Sequence, residues 1–286
     1  MTTKELKSPP GTLRLYARAA APLLPGASRL PFVGGRGSRM PDLDLRLPEV
    51  EVDREHLARY ARVCSFRLAD ALPPTYPHVL AFPLHMALMT DGSFPFPPIG
   101  LVHIENRIVQ HRPVPMRETL SLSVRPTPIE PHPRGRTFSI VSEARVDGEL
   151  VWEESSTMLR RGKGSGKRSE PAEPEPPPAV ATWRLDGGLG RRYAAVSGDR
   201  NPIHMHDLTA KAFGFPRAIA HGMWTKARCL AALEGRLPEG FEVAVRFRKP
   251  ILLPSIVTFG AEDERFAVRA EKDGTPHLDG TLRRAS

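Results

Sequence analysis

Between Tyr193 and His204 the chain reads YAAVSGDRNPIH, and between Ala220 and Met223 it reads AHGM. Together these stretches supply a carboxylate (Asp199), an imidazole (His204) and a glycine ahead of an apolar helix (Gly222). Such groups suit acid–base work beside a substrate carbonyl. An unperturbed histidine titrates at ~6.5, so it can take and return a proton near neutrality. A helix N-terminus offers unpaired N–H groups and partial positive charge to a developing oxyanion.

Each residue also has an ordinary role open to it. Asp199, within SGDRNP, fits an Asx turn or a helix cap. His204 alone fits a half-buried histidine, and Gly222 could simply let a helix approach a sheet. Adding His206 and His221 to His204 makes a loose zinc pattern, but no cysteine supports it and Asn201-Pro202 would have no role, so no metal is expected. Met223, Ala227, Leu230 and Leu233 form a helical stripe facing a core. The conjunction of Asp199, His204 and Gly222 carries the chemical reading.

The rest of the chain must position these groups. Its 286 residues match the length of two ordinary domains, and 40% hydrophobic with 26% charged side chains is the make-up of a soluble globular protein. No apolar run approaches the ~18–20 residues of a membrane span. Cys64 and Cys229 fall in apolar helical patterns and read as reduced core thiols of a cytoplasmic protein. The net charge of +9 is scattered, without zinc-ligand spacing, an RNP-like segment or a basic helix, so no nucleic-acid partner is expected. A phosphorylated cofactor or an acidic carrier protein accounts for the excess equally well.

Residues 1–40 read as an N-terminal extension with one short helix; LRLYARAAAPLL (13–24) resembles a presequence in composition but is taken as a docking helix. In VDREHLARYARVCS, Leu57, Tyr60, Ala61 and Cys64 share a helix face behind an Asp53 N-cap. YPHVLAFPLHMALM (76–89) is apolar on most sides and predicts a buried helix entered or kinked at Pro83. Strands follow, and the alternating RTFSIVSEARV runs into an Asp147-Gly148 turn and LVWEESSTMLRR, a strong hairpin signal. The Gly-, Ser- and Pro-rich stretch that begins at Gly162 reads as an exposed linker.

The second half then repeats the first in the same order, at offsets of roughly 130 residues. YARVCS at Tyr60 parallels YAAVSG at Tyr193, and PLHMALM at Pro83 parallels AHGMWTKA at Ala220. IVQHRPV up to Val114 parallels VRFRKPI up to Ile251. Asp147-Gly148 parallels Asp273-Gly274, and MLRR ending at Arg161 parallels TLRR ending at Arg284. Each repeat reads as a helix, a long apolar helix and several antiparallel strands: an α+β unit whose sheet wraps one buried helix and can pair with its copy inside one chain. The expected parts are an extension (1–40), a first repeat (41–162), a linker (163–182) and a second repeat (183–286).

SGDRNPIH followed by FGFPRAIAHGM closely resembles the MaoC-like hydratase/dehydratase family, strongly from Trp183 to about Arg284. The first half resembles the degenerate N-terminal repeat of double hot-dog members such as actinobacterial 3-hydroxyacyl-thioester dehydratases. The resemblance implies an α+β double hot-dog and a hydro-lyase of fatty-acid metabolism, interconverting trans-2-enoyl and (3R)-3-hydroxyacyl thioesters without metal or redox cofactor. It implies Asp199 and His204 as the catalytic dyad, Gly222 as the amide that binds the thioester carbonyl, and Asn201 and Pro202 as loop-shaping residues. The first repeat departs from the pattern: after Ser65 there is no Asp-x-Asn-Pro-x-His, and Phe82 to Met86 holds no glycine. It is therefore expected to be inactive and to help form the acyl tunnel.

Substrate would arrive on CoA or acyl carrier protein, so cations are expected near the mouth. Arg246, Arg248 and Lys249 are candidates for phosphate, though they equally fit a solvated strand face. A monomer with an internal pseudo-dimer or a homodimer would serve. Rival readings are a hot-dog thioesterase, which sends water to the carbonyl carbon, and a non-catalytic acyl-binding or assembly subunit.

Overall fold

A computed structural model describes residues 2–20, 39–164 and 175–285. In chain order the first elements are β1 (Thr2–Glu5), α1 (Thr12–Ala20), β2 (Leu43–Val50), α2 (Arg54–Cys64) and α3 (Tyr76–Met89). Then come β3 (Leu101–Gln110), β4 (Leu120–Pro126), β5 (Glu130–His132), β6 (Gly135–Val146), β7 (Glu149–Arg161) and β8 (Ala179–Leu185). The rest are α4 (Leu189–Ser197), α5 (Pro202–Met205), α6 (Asp207–Ala212), α7 (Gly222–Ala232), β9 (Phe241–Phe247), β10 (Ser255–Glu262), β11 (Arg265–Ala270) and β12 (Pro276–Arg284).

The chain folds into two compact units. The first comprises Met1–Glu51, His78–Ile104 and Thr119–Ser169; the second comprises Val52–Pro77, Glu105–Glu118 and Glu170–Ser286. The serial division into 41–162 and 183–286 thus describes the sequence repeat, while α2 and Glu105–Glu118 lie in space with the second repeat. Half of the expected linker, residues 165–174, lies outside the described residues, and β8 already begins at Ala179, inside the stretch read as linker.

In the first unit β2, β4, β6 and β7 are successive antiparallel neighbours, with β5 against the start of β6. Their inward residues, among them Leu122, Val124, Ile140, Ala144 and Trp152, are buried, as alternation requires when one face meets a core. The β6–β7 turn has Asp147 at φ 49 and Gly148 at φ 85, the left-handed pair that a two-residue hairpin demands. α3 is apolar around its circumference and carries Pro83 inside it. Two polar contacts seat it on the sheet: His85 Nε2 to Ser142 Oγ at 2.6 Å, and His78 Nδ1 to Glu154 Oε2 at 2.9 Å.

The extension corrects one expectation. Besides α1, docked through buried Leu15 and Ala19, it supplies β1, which pairs in parallel with β2 from Thr2↔Leu43 to Glu5↔Arg46. All four β1 side chains are exposed, so the pairing rests on the backbone and leaves no hydrophobic pattern to read.

The second unit orders its strands β9, β12, β11, β10, β8, all antiparallel, with Glu105–Gln110 of β3 on the other side of β9. β3 and β9 are the repeat-equivalent strands. Their pairing sets Arg107 opposite Ala244, equivalent positions in the alignment of Val114 with Ile251. α2 forms as predicted, capped by Asp53, whose carboxylate accepts from the Glu55 and His56 amides, with Leu57, Tyr60, Ala61 and Cys64 buried. α7 lies on β3 and β9: the buried Lys226 ammonium donates to the Asn106 carbonyl at 3.3 Å, the Val243 carbonyl at 3.1 Å and Asn106 Oδ1. Cys64 and Cys229 are buried free thiols. Among the described residues no helix is long and apolar enough to cross a membrane.

Candidate active site

The dyad loop is built by local rules. α4 ends at Gly198, whose φ of 75 suits glycine and whose N–H bonds the Ala194 carbonyl at 3.1 Å. Asp199 Oδ1 then accepts from the Asn201 amide at 3.1 Å, an Asx turn. Asn201 caps α5, its Oδ1 facing the Ile203 amide, and Pro202 occupies the first turn, where no N–H is needed. Asn201 and Pro202 therefore shape the loop physically. The cap reading of Asp199 and the chemical one are compatible, because one carboxylate oxygen serves the turn.

The single turn of α5 delivers His204 into the protein, 9% exposed. The close approach needs Gly190: a Cβ there would stand 2.0 Å from the His204 carbonyl oxygen. His204 Nδ1 lies 2.8 Å from the Ile219 carbonyl oxygen. A carbonyl only accepts, so Nδ1 carries the hydrogen and Nε2 the lone pair, the form a general base requires. Burial pushes the His204 pKa below its ordinary value, and the Asp199 carboxylate and the Ile219 bond oppose that shift.

His221 completes the site. It stacks on His204 with ring centroids 3.7 Å apart and planes 25° apart. Its Nε2 is 3.0 Å from the Asp199 main-chain oxygen and 3.9 Å from Asp199 Oδ2. Burial first, and His204 second, push the His221 pKa down to about 3. A carboxylate oxygen of Asp199 and one nitrogen of each imidazole lie within 4.8 Å of one another. His206, the other half of the His-x-His pattern, is exposed at the end of α5 and stands apart from this group. A set of this kind also has the donors a metal ion uses; its tautomers suit proton transfer, which is how we read it.

His221 is also the N-cap of α7, so Gly222 is the first helical residue, with an amide that helix geometry leaves without an intrahelical acceptor. The small-residue reading holds as well: a Cβ at Gly222 would meet the Phe247 ring at 3.0–3.1 Å. Behind His221 stands the Tyr193 ring, 4.9 Å between centroids, and behind that Tyr60 of α2, 6.3 Å away. Tyr60 in turn donates to Thr75 Oγ1 at 2.7 Å. The parallel tyrosines of the two repeats thus pack together behind the dyad. Sequence reasoning met His221 only in the AHGM motif and a loose zinc pattern and gave it no role, and it missed Gly190; the Tyr60–Tyr193 match was the one available hint that α2 belongs here.

Two of the three candidate phosphate ligands, Arg246 and Arg248, are already engaged. Arg246 Nε pairs with Glu105 Oε1 at 3.0 Å, and Arg248 Nε with Asp279 Oδ2 at 2.7 Å. Asp279 also holds Arg269 at 2.8 Å. Lys249 is exposed beyond the end of β9.

Comparison with known proteins bears on the family and the fold. Residues 175–278 match the model of the MaoC like domain. The chain is 37% identical to 3-hydroxyacyl-thioester dehydratase X of Mycobacterium tuberculosis over 96% of its own length and 98% of that protein's. It is 32% identical to 3-hydroxyacyl-thioester dehydratase Y of the same organism, over 71% of this chain and 75% of that one. The crystal structure of HtdX from M. tuberculosis superposes with a TM-score of 0.76 at 36% identity, covering 85% of this chain and all of that one (100%). An M. tuberculosis protein described as a double hot-dog matches with a TM-score of 0.51 at 16% identity, covering 83% and 93% of the two chains. The expected α+β double hot-dog is therefore the fold.

Proposed function

We propose, on the premise that this chain belongs to the MaoC-like family of 3-hydroxyacyl-thioester dehydratases, that Asp199 and His204 handle the reacting water while the Gly222 amide holds the thioester oxygen. The reaction is the reversible hydration of trans-2-enoyl thioesters and dehydration of 3-hydroxyacyl thioesters in fatty-acid metabolism, and the protein is a hydro-lyase. In the hydration direction water bonds to C3 and gives a proton to His204 Nε2. The C2=C3 electron pair moves into an enolate, whose oxygen meets the Gly222 N–H. C2 then takes a proton back from the dyad, so the net change is one water added. A positioned acid–base group contributes roughly 10²–10⁴ in rate, and one oxyanion donor on the order of 3 kcal/mol.

One observation carries the assignment of roles: the Ile219 carbonyl fixes the His204 tautomer, so its lone pair sits on Nε2, in a ring with one nitrogen within 4.8 Å of an Asp199 carboxylate oxygen. CoA or acyl-carrier-protein thioesters as the delivered form, an R-configured product, an inactive first repeat, a phosphate role for Lys249 and a cytoplasmic setting go with this reading. So does a monomer with an internal pseudo-dimer, or a homodimer of it.

The test is enoyl-thioester absorbance, followed across chain lengths on CoA and carrier-protein substrates. Asp199→Asn and His204→Gln are expected to lose roughly 10²–10⁴ in hydration rate with unchanged melting. Near-wild-type rates in either would overturn the assignment. Release of free thiol with no hydroxyacyl product would favour a thioesterase instead.

A further inference from the structure

We propose that His221 is a positioning residue of this site, tying the Asp199 loop to the start of α7 and covering one face of His204 with its ring. The inference rests on the assignment of Asp199 and His204 as the acid–base pair. Its first support is the direction of the hydrogen bond. Asp199 O only accepts, so His221 donates from Nε2 at 3.0 Å, and the lone pair is on Nδ1. Nδ1 is buried and has no hydrogen-bond partner among the described residues. A buried unpaired acceptor is destabilising, so a purely space-filling role would be met better by an apolar ring. What the imidazole adds is its donor nitrogen.

The second support is where the residue is anchored. The His221 carbonyl accepts from the Thr225 amide at 3.1 Å and from Thr225 Oγ1 at 3.2 Å, in the first turn of α7. One residue therefore joins the helix that presents Gly222 to the loop that presents Asp199. The third is the stack itself: at 3.7 Å between centroids no water fits between the rings. The ionisable groups facing the pair are Asp199, just after α4, and Tyr193 of α4, whose ring flanks His221.

A consequence follows for pH. Burial lowers the His204 pKa, and the His221 ring, itself kept neutral by burial, supplies part of that burial. His204 must be unprotonated to accept from water, so hydration fails as pH falls through its lowered pKa. Opening the stack to water moves that pKa back up towards ~6.5, and the acid limb of kcat/KM moves to higher pH with it.

Three variants separate the two roles, with Asp199→Asn as control. His221→Ala removes both and is expected to lower kcat about 10²-fold with KM little changed, and to move the acid limb upwards. His221→Phe keeps a ring and loses the donor; its acid limb should stay in place while kcat falls. His221→Gln keeps a donor and loses the ring; it should recover part of kcat but show the moved limb. Wild-type kcat and acid limb in folded His221→Ala, with Asp199→Asn inactive, would overturn this inference alone. So would losses in all three variants that track only the folded fraction and leave the limb unmoved. An active Asp199→Asn would overturn the acid–base assignment and this inference with it.

Discussion

Each unit gathers a carboxylate and two buried imidazoles beside its long helix, the carboxylate buried in the first and half-buried in the second, yet the two groups are wired differently. In the first, His78 pairs with Glu154 and His85 with Ser142, so side chains bond to side chains. Ser142 and Glu154 are direct cross-strand partners, which brings both hydrogen-bonding side chains under one face of α3. In the second, His204 and His221 each give their one N–H to a main-chain carbonyl, those of Ile219 and Asp199. A carbonyl fixes the tautomer and leaves the other ring nitrogen as an acceptor. The same residue types thus build side-chain cross-links in one place and imidazoles anchored to main-chain carbonyls in the other.

The helices differ in the same sense. PLHMALM aligns with AHGMWTKA, which sets His85 opposite Gly222, but α3 starts at Tyr76, so the His85 amide lies well inside a helix and is consumed by it. α7 starts at Gly222 itself. The first unit therefore has no helix-start amide at the matching place, which supplies a physical reason to expect no chemistry there.

Three substitutions would break or sharpen this contrast. Glu154→Ala strands His78 in the core of the first unit and is expected to lower stability by about 3 kcal/mol. Denaturant titration measures that loss, and hydration per folded molecule should stay at the wild-type level. A rate collapse like that of Asp199→Asn would mean the first unit takes part in chemistry. Gly222→Ala drives a Cβ into Phe247; overpacking of this kind is worth about 1–3 kcal/mol, so kcat/KM should fall roughly tenfold. Adding Phe247→Leu should restore part of the rate, and no restoration would show that the ring is not what Gly222 must avoid. Smallest is Lys249→Ala, expected to raise KM for a CoA thioester about two- to threefold at low salt and not at high salt. A salt-independent change would remove Lys249 from phosphate binding.

Much was legible because it is local. Asp53 capping α2, the Asp147-Gly148 hairpin and the span of α3 all depend on neighbours a few residues away. The SGDRNPIH loop is likewise a chain of contacts between residues two or three apart. β1 was illegible because its pairing is made by exposed backbone, and Gly190 because its neighbour, His204, lies on another helix. The serial repeats and the spatial units differ for a related reason: α2 packs on α4 through Tyr60 and Tyr193, a contact between equivalent positions that spacing alone cannot rank above any other.

By itself the sequence determined that there are two repeats, that one carries Asp199, His204 and Gly222, and that the other lacks their pattern. Types and short spacings suffice for that, since turns, caps and helix starts are short-range structures. Only the tertiary structure decided which nitrogen of His204 holds the proton, and that His221 lies against it. Those outcomes depend on the Ile219 carbonyl and the α7 N-cap arriving from beyond the loop. A hydrogen bond's donor is set by the partner that folding brings to it.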